Sequence, residues 1–324
     1  MPRPAPLWDL LGFGAVTVDD LICVDRYPPP DAKEPIISRQ QVGGGLAGTA
    51  LVAAARLGAQ AAYCGVLGND ALSRFTLEEL ERAGVDCSAV IHRTGAQPIQ
   101  AVVIVGRPSA RRSILFSEAG FQQPDASVIT EALLTRARVL FVDHTAVEAG
   151  LLAAPIARAH GIPIVADFER STSPRLAELI PQVDHLILNR TMGQQLTGAA
   201  DPSEMVRTLA GPSQVCCAVT AGEDGLWYAE RGKPPCHLPA FAVAAVDTTG
   251  CGDVLHGAYA SAIARGSGVH QALMLGAAAA ALKTLAPGGR AGIPDLPTVL
   301  RFLADCGFPL AHGKPAILNR GLNP

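Results

Sequence analysis

The chain reads as a doubly wound α/β protein: a mostly parallel sheet with helices on both faces and a small β-sheet standing off it. Three features of the sequence carry that reading. From about residue 126 onward, short β-branched runs alternate with helical stretches; residues 43–49 and 248–252 are glycine-rich and each leads into an apolar helix; and the β-rich stretches at about 20–42 and 97–118 stand outside the alternation. Parallel β-α-β units covered on both faces are the economical explanation of the first feature. At 324 residues and 49% hydrophobic content, the chain can bury a large core as a single domain, residues 1–324, with the strands of the small sheet at about 20–42 and 97–118 inserted in it.

Taken in order, residues 10–18 predict a strand that ends in Asp19-Asp20, and in doubly wound sheets ligands collect at such strand ends. Pro28-Pro29-Pro30 interrupts residues 21–42, where Ile36, Ser38 and Gln40 alternate as in a small exposed sheet. A helix at 50–57 stopped by Gly58, a strand at 61–66 and a helix at 75–82 stopped by Gly84 follow. Residues 98–105 and 111–116 flank a Gly106-Arg107-Pro108-Ser109 turn and predict a hairpin. Beyond it come helix 128–136, strand 139–142, helix 149–160, strand 163–166, helix 176–180 and strand 185–188. The alanine-rich stretch 272–286 is interrupted by Gly276 and Lys283 and is shorter than the ~18 residues a membrane span needs, so it predicts a core helix.

Lys+Arg total 26 against Asp+Glu 29, a net charge of −3 with no basic stripe, which argues against nucleic acid and anionic membranes as partners. Eight cysteines lie mostly in apolar stretches without a C-x-x-C pair, the pattern of buried thiols in a reducing cytoplasm. Met1-Pro2-Arg3-Pro4 lacks the form of a secretory leader.

The chemistry concentrates at Asp247-Thr248-Thr249-Gly250-Cys251-Gly252-Asp253, between an apolar stretch and an amphipathic helix closed by Gly266. Gly250 and Gly252 let the turn approach a ligand, and the N–H groups of a first helical turn together with the helix dipole form an anion site. Two readings of Asp253 stand: an acid that caps the helix, or a general base facing a substrate hydroxyl. Asp167 and Asn189, each at a strand end, read either as turn formers or as groups facing the same sheet edge.

The string DTTGCGD before an apolar helix resembles the second signature of the ribokinase-like (PfkB) carbohydrate kinase family, usually D-T-x-G-A-G-D, with Cys251 in place of alanine. That resemblance covers roughly residues 10 to 305 and implies Asp253 as catalytic base, with Gly250, Cys251 and Gly252 as the anion hole. Gly44-Gly45-Leu46-Ala47-Gly48-Thr49 is similar to the family's first signature, G-G-x-x-x-N, with Thr49 where the sugar-binding asparagine would stand. Thr220, Gly222 and Gly225 match its nucleotide loop V-T-x-G-x-x-G, and Asn189 opens its N-x-x-E pattern, in which Met192 replaces the glutamate.

The resemblance therefore implies ATP and magnesium, the ion being held through phosphates and water with Asp167 in its outer shell, and a monovalent cation such as K+ near Asp247 and Thr249. The resemblance further implies Asp19, Gly44, Gly45 and Thr49 as sugar contacts, and the small sheet of residues 20–42 and 97–118 as a lid over the sugar through which a homodimer forms. DTTGCGDVLHGA with ALKTLAPGGRAGIPD resembles the sulfofructose-kinase-like branch in particular, for which Lys33, Arg111 and Arg112 are the cations about the lid, although Arg112 also reads as an ordinary basic surface residue. The expected activity is phosphorylation of a primary hydroxyl of a small sugar. The alternatives are a nucleoside kinase of the same fold, for which no aromatic cluster near the lid speaks, and a non-catalytic sugar or nucleotide sensor, against which the intact Asp253 argues.

Overall fold

The structure, a computed structural model, describes residues 6–106, 111–171 and 173–308. Its first part runs β1 (Trp8–Phe13), β2 (Thr17–Val24), β3 (Ile36–Gly44), α1 (Leu46–Arg56), β4 (Ala61–Tyr63), β5 (Val66–Leu67), α2 (Ala71–Arg82), β6 (Ile91–His92), β7 (Ile99–Gly106) and β8 (Arg111–Ser117). The alternating part runs α3 (Glu131–Leu134), β9 (Ala137–Asp143), α4 (Val147–Ala159), β10 (Ile164–Phe168), α5 (Leu176–Leu179), β11 (His185–Asn189), α6 (Arg190–Thr197), α7 (Pro202–Leu209), β12 (Cys216–Thr220), β13 (Leu226–Glu230) and β14 (Cys236–Leu238). The helices α8 (Cys251–Ala264), α9 (Val269–Lys283) and α10 (Leu296–Asp305) follow.

An eight-stranded sheet has the order β14-β13-β12-β11-β10-β9-β1-β4, parallel from β4 to β12 and closed by the antiparallel β13 and β14. The central strands are buried along nearly their whole length, as strands covered on both faces must be. One face packs on α1, α8 and α9, and the other on α4 and its neighbours. A separate four-stranded sheet, β3-β2-β7-β8, holds both β-rich stretches of the sequence.

The apolar run at 10–18 divides into two strands belonging to different sheets. Asp143, fully buried at the end of β9, accepts the Ala15 N–H at 2.7 Å and the Ala47 N–H at 3.1 Å, and this fixes a corner after Phe13. Asp19 and Asp20 therefore sit inside β2, paired with Val42 and Gln41, and not at the end of a strand of the main sheet. The expected strand at 61–66 likewise splits into β4 and β5, and the expected helix at 128–136 shortens to α3, capped by Thr130. The α2 helix begins earlier than expected because Asp70 accepts the N–H groups of Leu72 and Ser73. Of the hairpin about residues 106–109, the two strands pair antiparallel as expected, while 107–110 lie outside the described residues.

Small residues let the helices approach closely. A Cβ at Gly257 of α8 would collide with the backbone of Ala50 in α1. Of the cysteines, Cys64, Cys216 and Cys217 are buried as expected, but Cys236 and Cys306 are exposed, and none of the eight is in a disulfide. Among the described residues no helix is long and apolar enough to cross a membrane.

Gly257→Val should destabilise the protein by about 1–3 kcal/mol, since the added methyls have only backbone to displace. Urea unfolding with an unchanged slope would report this as a lower midpoint.

Candidate active site

Gly250, in the left-handed region at φ 71, is the N-cap of α8 and turns the chain from the 247–249 segment into the helix. Asp247 holds this turn: its carboxylate accepts the Thr249 N–H at 2.8 Å, the Thr249 hydroxyl at 2.7 Å and the Gly288 N–H at 2.8 Å. The Cys251 N–H is taken by the Thr248 carbonyl at 3.3 Å, so it contributes less to an anion site than the sequence suggests. Among the described residues, the N–H groups of Gly252 and Asp253 carry no hydrogen bond and remain for a ligand.

Asp253 sits in that first turn, half-buried. Burial pushes its carboxyl well above the ordinary 3.8; the charges of Glu169, Asp143 and Asp19 push the same way, and the Arg290 guanidinium opposes them. Asp167, at the end of β10, is 2% exposed, and its Oδ2 makes no hydrogen bond. That oxygen lies 3.2 Å from His256 Nδ1, but this nitrogen faces the Gly252 carbonyl at 2.8 Å, while Nε2 faces the Ile187 carbonyl at 3.1 Å. His256 thus ties the first turn of α8 to β11. Burial, then the charges of Glu169 and Asp253, raise Asp167 well above the usual carboxylate range. Among the described residues no three acids, histidines or cysteines converge to hold a metal ion directly, so a divalent cation would be held here only through water, for which the unpartnered Asp167 oxygen is placed.

On the other side of the turn, Asp19 is half-buried and accepts the Thr17 hydroxyl at 2.5 Å; burial raises its pKa above the ordinary value, against that bond and the charge of Arg290. Arg290 lies in the loop after α9, with Nε 3.3 Å from the Thr49 hydroxyl and Nη2 2.5 Å from the Gly44 carbonyl. Burial lowers its pKa to about 10, with Asp19, Glu79 and Asp253 pulling it back up. A Cβ at Gly43 or Gly48 would strike this guanidinium, and one at Gly44 would strike Asp19 and Thr17. Glycines that the sequence offers for a sugar therefore also make room for an arginine. At Gly45 a Cβ would meet the backbone of Ala15 and Val16.

The nucleotide-side residues gather at the next strand ends. Asn189 and Thr220 are register partners on β11 and β12, and Gly222 and Gly225 flank the turn that follows. Asn189 caps α6 by accepting the Met192 N–H at 2.7 Å, while the Met192 side chain is fully buried in the core. Lys33 is exposed between β2 and β3 with no hydrogen bond or ion pair among the described residues, and the side chains of Arg111 and Arg112 lie outside those residues. A cleft of about 880 Å³ opens between the small sheet and the loop after α9, lined by Leu21, Cys23, Gln40, Val42, Gly289 and Arg290; neither Asp19 nor Asp253 lines it.

The sequence reading passed over Glu169, His256, Asp143 and Arg290. Glu169 follows β10 by one residue, and Arg290 stands in the Pro287-Gly288-Gly289-Arg290 loop, where its glycine neighbours were a signal of close approach.

The doubly wound sheet, the separate four-stranded sheet and the glycine turn opening α8 define a protein of the ribokinase-like α/β class. Residues 11–296 match the family described as pfkB family carbohydrate kinase, and the chain belongs to that family. It is 26% identical over 299 residues to the ribokinase of Staphylococcus aureus, covering 89% of this chain and 97% of that one. Among solved structures, a putative ribokinase from Agrobacterium tumefaciens superposes with a TM-score of 0.85 at 28% identity, covering 92% of this chain and 97% of that chain. The Arabidopsis thaliana ribokinase complexed with ribose and ATP has the same fold, with a TM-score of 0.79 at 23% identity over 93% of this chain and 99% of that chain.

Arg290→Met keeps most of the volume but leaves the Gly44 carbonyl and the Thr49 hydroxyl without their charged donor. The expected loss is about 1.5–3 kcal/mol per hydrogen bond to the charged group, measured by chemical denaturation. An unchanged midpoint would show that the guanidinium is not held as described.

Proposed function

We propose that the protein is an ATP-dependent kinase that phosphorylates a primary hydroxyl of a small sugar or sugar derivative, with Asp253 as general base. The observation that supports this most directly is the coincidence, in one helical turn, of the Asp253 carboxylate with the unpaired N–H groups of Gly252 and Asp253. A base and an anion site side by side are what transfer of a phosphoryl group to a hydroxyl requires. Membership of a carbohydrate kinase family agrees with this, and ATP and ribose are the ligands named for the Arabidopsis relative.

In this reading Asp19 accepts a hydroxyl of the sugar and fixes its orientation, while Arg290, Thr49 and the glycine turn at 43–45 shape the acceptor pocket. Asp253 then takes the proton of the attacking hydroxyl. The developing charge on the transferred group falls to the free N–H groups and the positive end of α8. Asn189, Thr220, Gly222 and Gly225 contact the nucleotide, and the alanine-rich α9 supplies a smooth wall for its base. Magnesium carried with ATP would be held through water by Asp167 and Glu169, and when bound it neutralises phosphate charge.

The small sheet acts as the lid. Its Phe116 ring lies 4.4 Å under the Arg170 guanidinium, and Glu118 bonds the same guanidinium at 2.9 Å, so this edge rests on the main body and shields the acceptor from water. Ile36, Ile37, Ile114 and Leu115 leave an exposed apolar surface on it, which we assign to a second copy of the chain. Acids crowd the acceptor end, so a substrate group bearing its own negative charge belongs at the far end of the pocket, toward Lys33.

Asp253→Asn should lower turnover by roughly 10²–10⁴-fold while ADP binding, measured by calorimetry, survives. Because Asp253 must be ionised to accept a proton and its pKa is raised above 3.8, kcat/KM should fall as pH drops through a value above the ordinary carboxylate range. An acid limb at or below 3.8, or near-normal turnover by the asparagine variant, would remove the base role. Leu115→Asp should convert a dimer to monomer in light scattering; a wild-type monomer would refute the assignment of the apolar surface.

A further inference from the structure

Lys283, the last residue of α9, is 0% exposed, and its ammonium lies 3.0 Å from the carbonyl oxygen of Asp247. The side chain of that same aspartate clamps Thr249 and Gly288, so one buried cation underlies both the turn that opens α8 and the loop that carries Arg290. The contact is electrostatic as well as geometric: hydrogen bonds from Thr249 and Gly288 hold the Asp247 carboxyl below its ordinary range against burial, and the charge of Lys283 adds to them.

An ammonium withdrawn from water persists only where oxygens replace its hydration, and here the Asp247 carbonyl oxygen is one of them, with the charge of the Asp247 carboxylate nearby. A monovalent ion coordinated by the Asp247 carbonyl oxygen would meet the Lys283 ammonium, which already lies 3.0 Å from that oxygen. These residues therefore do not fit such an ion.

We propose that Lys283 is a built-in cation of the phosphate-binding turn: its ammonium takes the place and the charge that a bound monovalent ion would supply, so that phosphoryl transfer proceeds without potassium. The role is that of a positioning residue. A tethered charge needs no ion concentration to fill its site, and it presets the N–H groups of Gly252 and Asp253 through the Asp247 clamp. The inference rests on the kinase reading given above, because it assigns the turn to a transferring phosphate.

The test begins with the wild-type protein, assayed for sugar phosphorylation with potassium chloride exchanged for choline chloride at equal ionic strength. Equal rates are expected; activation by potassium beyond roughly tenfold, an ordinary allosteric coupling, would overturn the proposal. Lys283→Ala opens the site and should lose about 10²-fold or more in kcat in choline, as loss of a charge-stabilising donor does, and recover in potassium or methylammonium. Lys283→Met fills the volume without charge and should stay slow in both salts. An alanine variant that turns over normally in choline would also sink the idea.

Thermal midpoints give a readout independent of turnover. The wild type should melt alike in both salts, and Lys283→Ala should be stabilised by potassium alone. Potassium stabilisation of the wild type, or a salt-insensitive alanine variant, counts against the proposal. If the wild type phosphorylates no sugar, the kinase reading fails, and the melting data still decide whether the ammonium occupies a cation site.

Discussion

The close crossing of α1 and α8 is the constraint on which the rest of the structure depends. Both helices begin at glycine turns, and their N-termini can open at one sheet edge only if their axes approach until Gly257 faces the Ala50 backbone. Alanine dominates the contact because larger side chains would force the helices apart. Were they spread, the turn at 43–45 would leave Arg290, and Asp19 would leave the neighbourhood of Asp253.

A second theme is charge held out of water. Asp143, Asp167, Asp253 and Asp19 all have raised pKa values with burial as the largest cause, and several raise one another. Folding brings these acids together against their mutual repulsion, and the structure balances them with few cations: Arg290 beside Gly44 and Thr49, and Lys283 beneath the Asp247 turn. Such an arrangement costs folding free energy, and clusters of buried, mutually perturbed acids of this kind occur preferentially at functional sites. Asp143 differs in purpose. Its carboxylate accepts from Ala15, Ala47 and Thr145 and joins three chain segments, so its burial serves the corner that starts the small sheet.

Local pattern alone determined much of this protein. The alternation of strands and helices after residue 126, the two glycine turns leading into apolar helices, the hairpin strands of the small sheet and the signature around Asp253 are properties of neighbouring residues, since periodicity and turn chemistry act over a few positions. Tertiary structure alone decided where the chain leaves one sheet for another: residues 10–18 form a single apolar run, and only the distant Asp143 carboxylate turns it at Ala15, carrying Asp19 into the small sheet. It also decided which charged groups meet. Arg290 reaches Gly44 across 246 positions of sequence, His256 meets β11 across 69 and Lys283 meets Asp247 across 36, and such distances leave no periodic trace because packing, and not local propensity, brings the partners together.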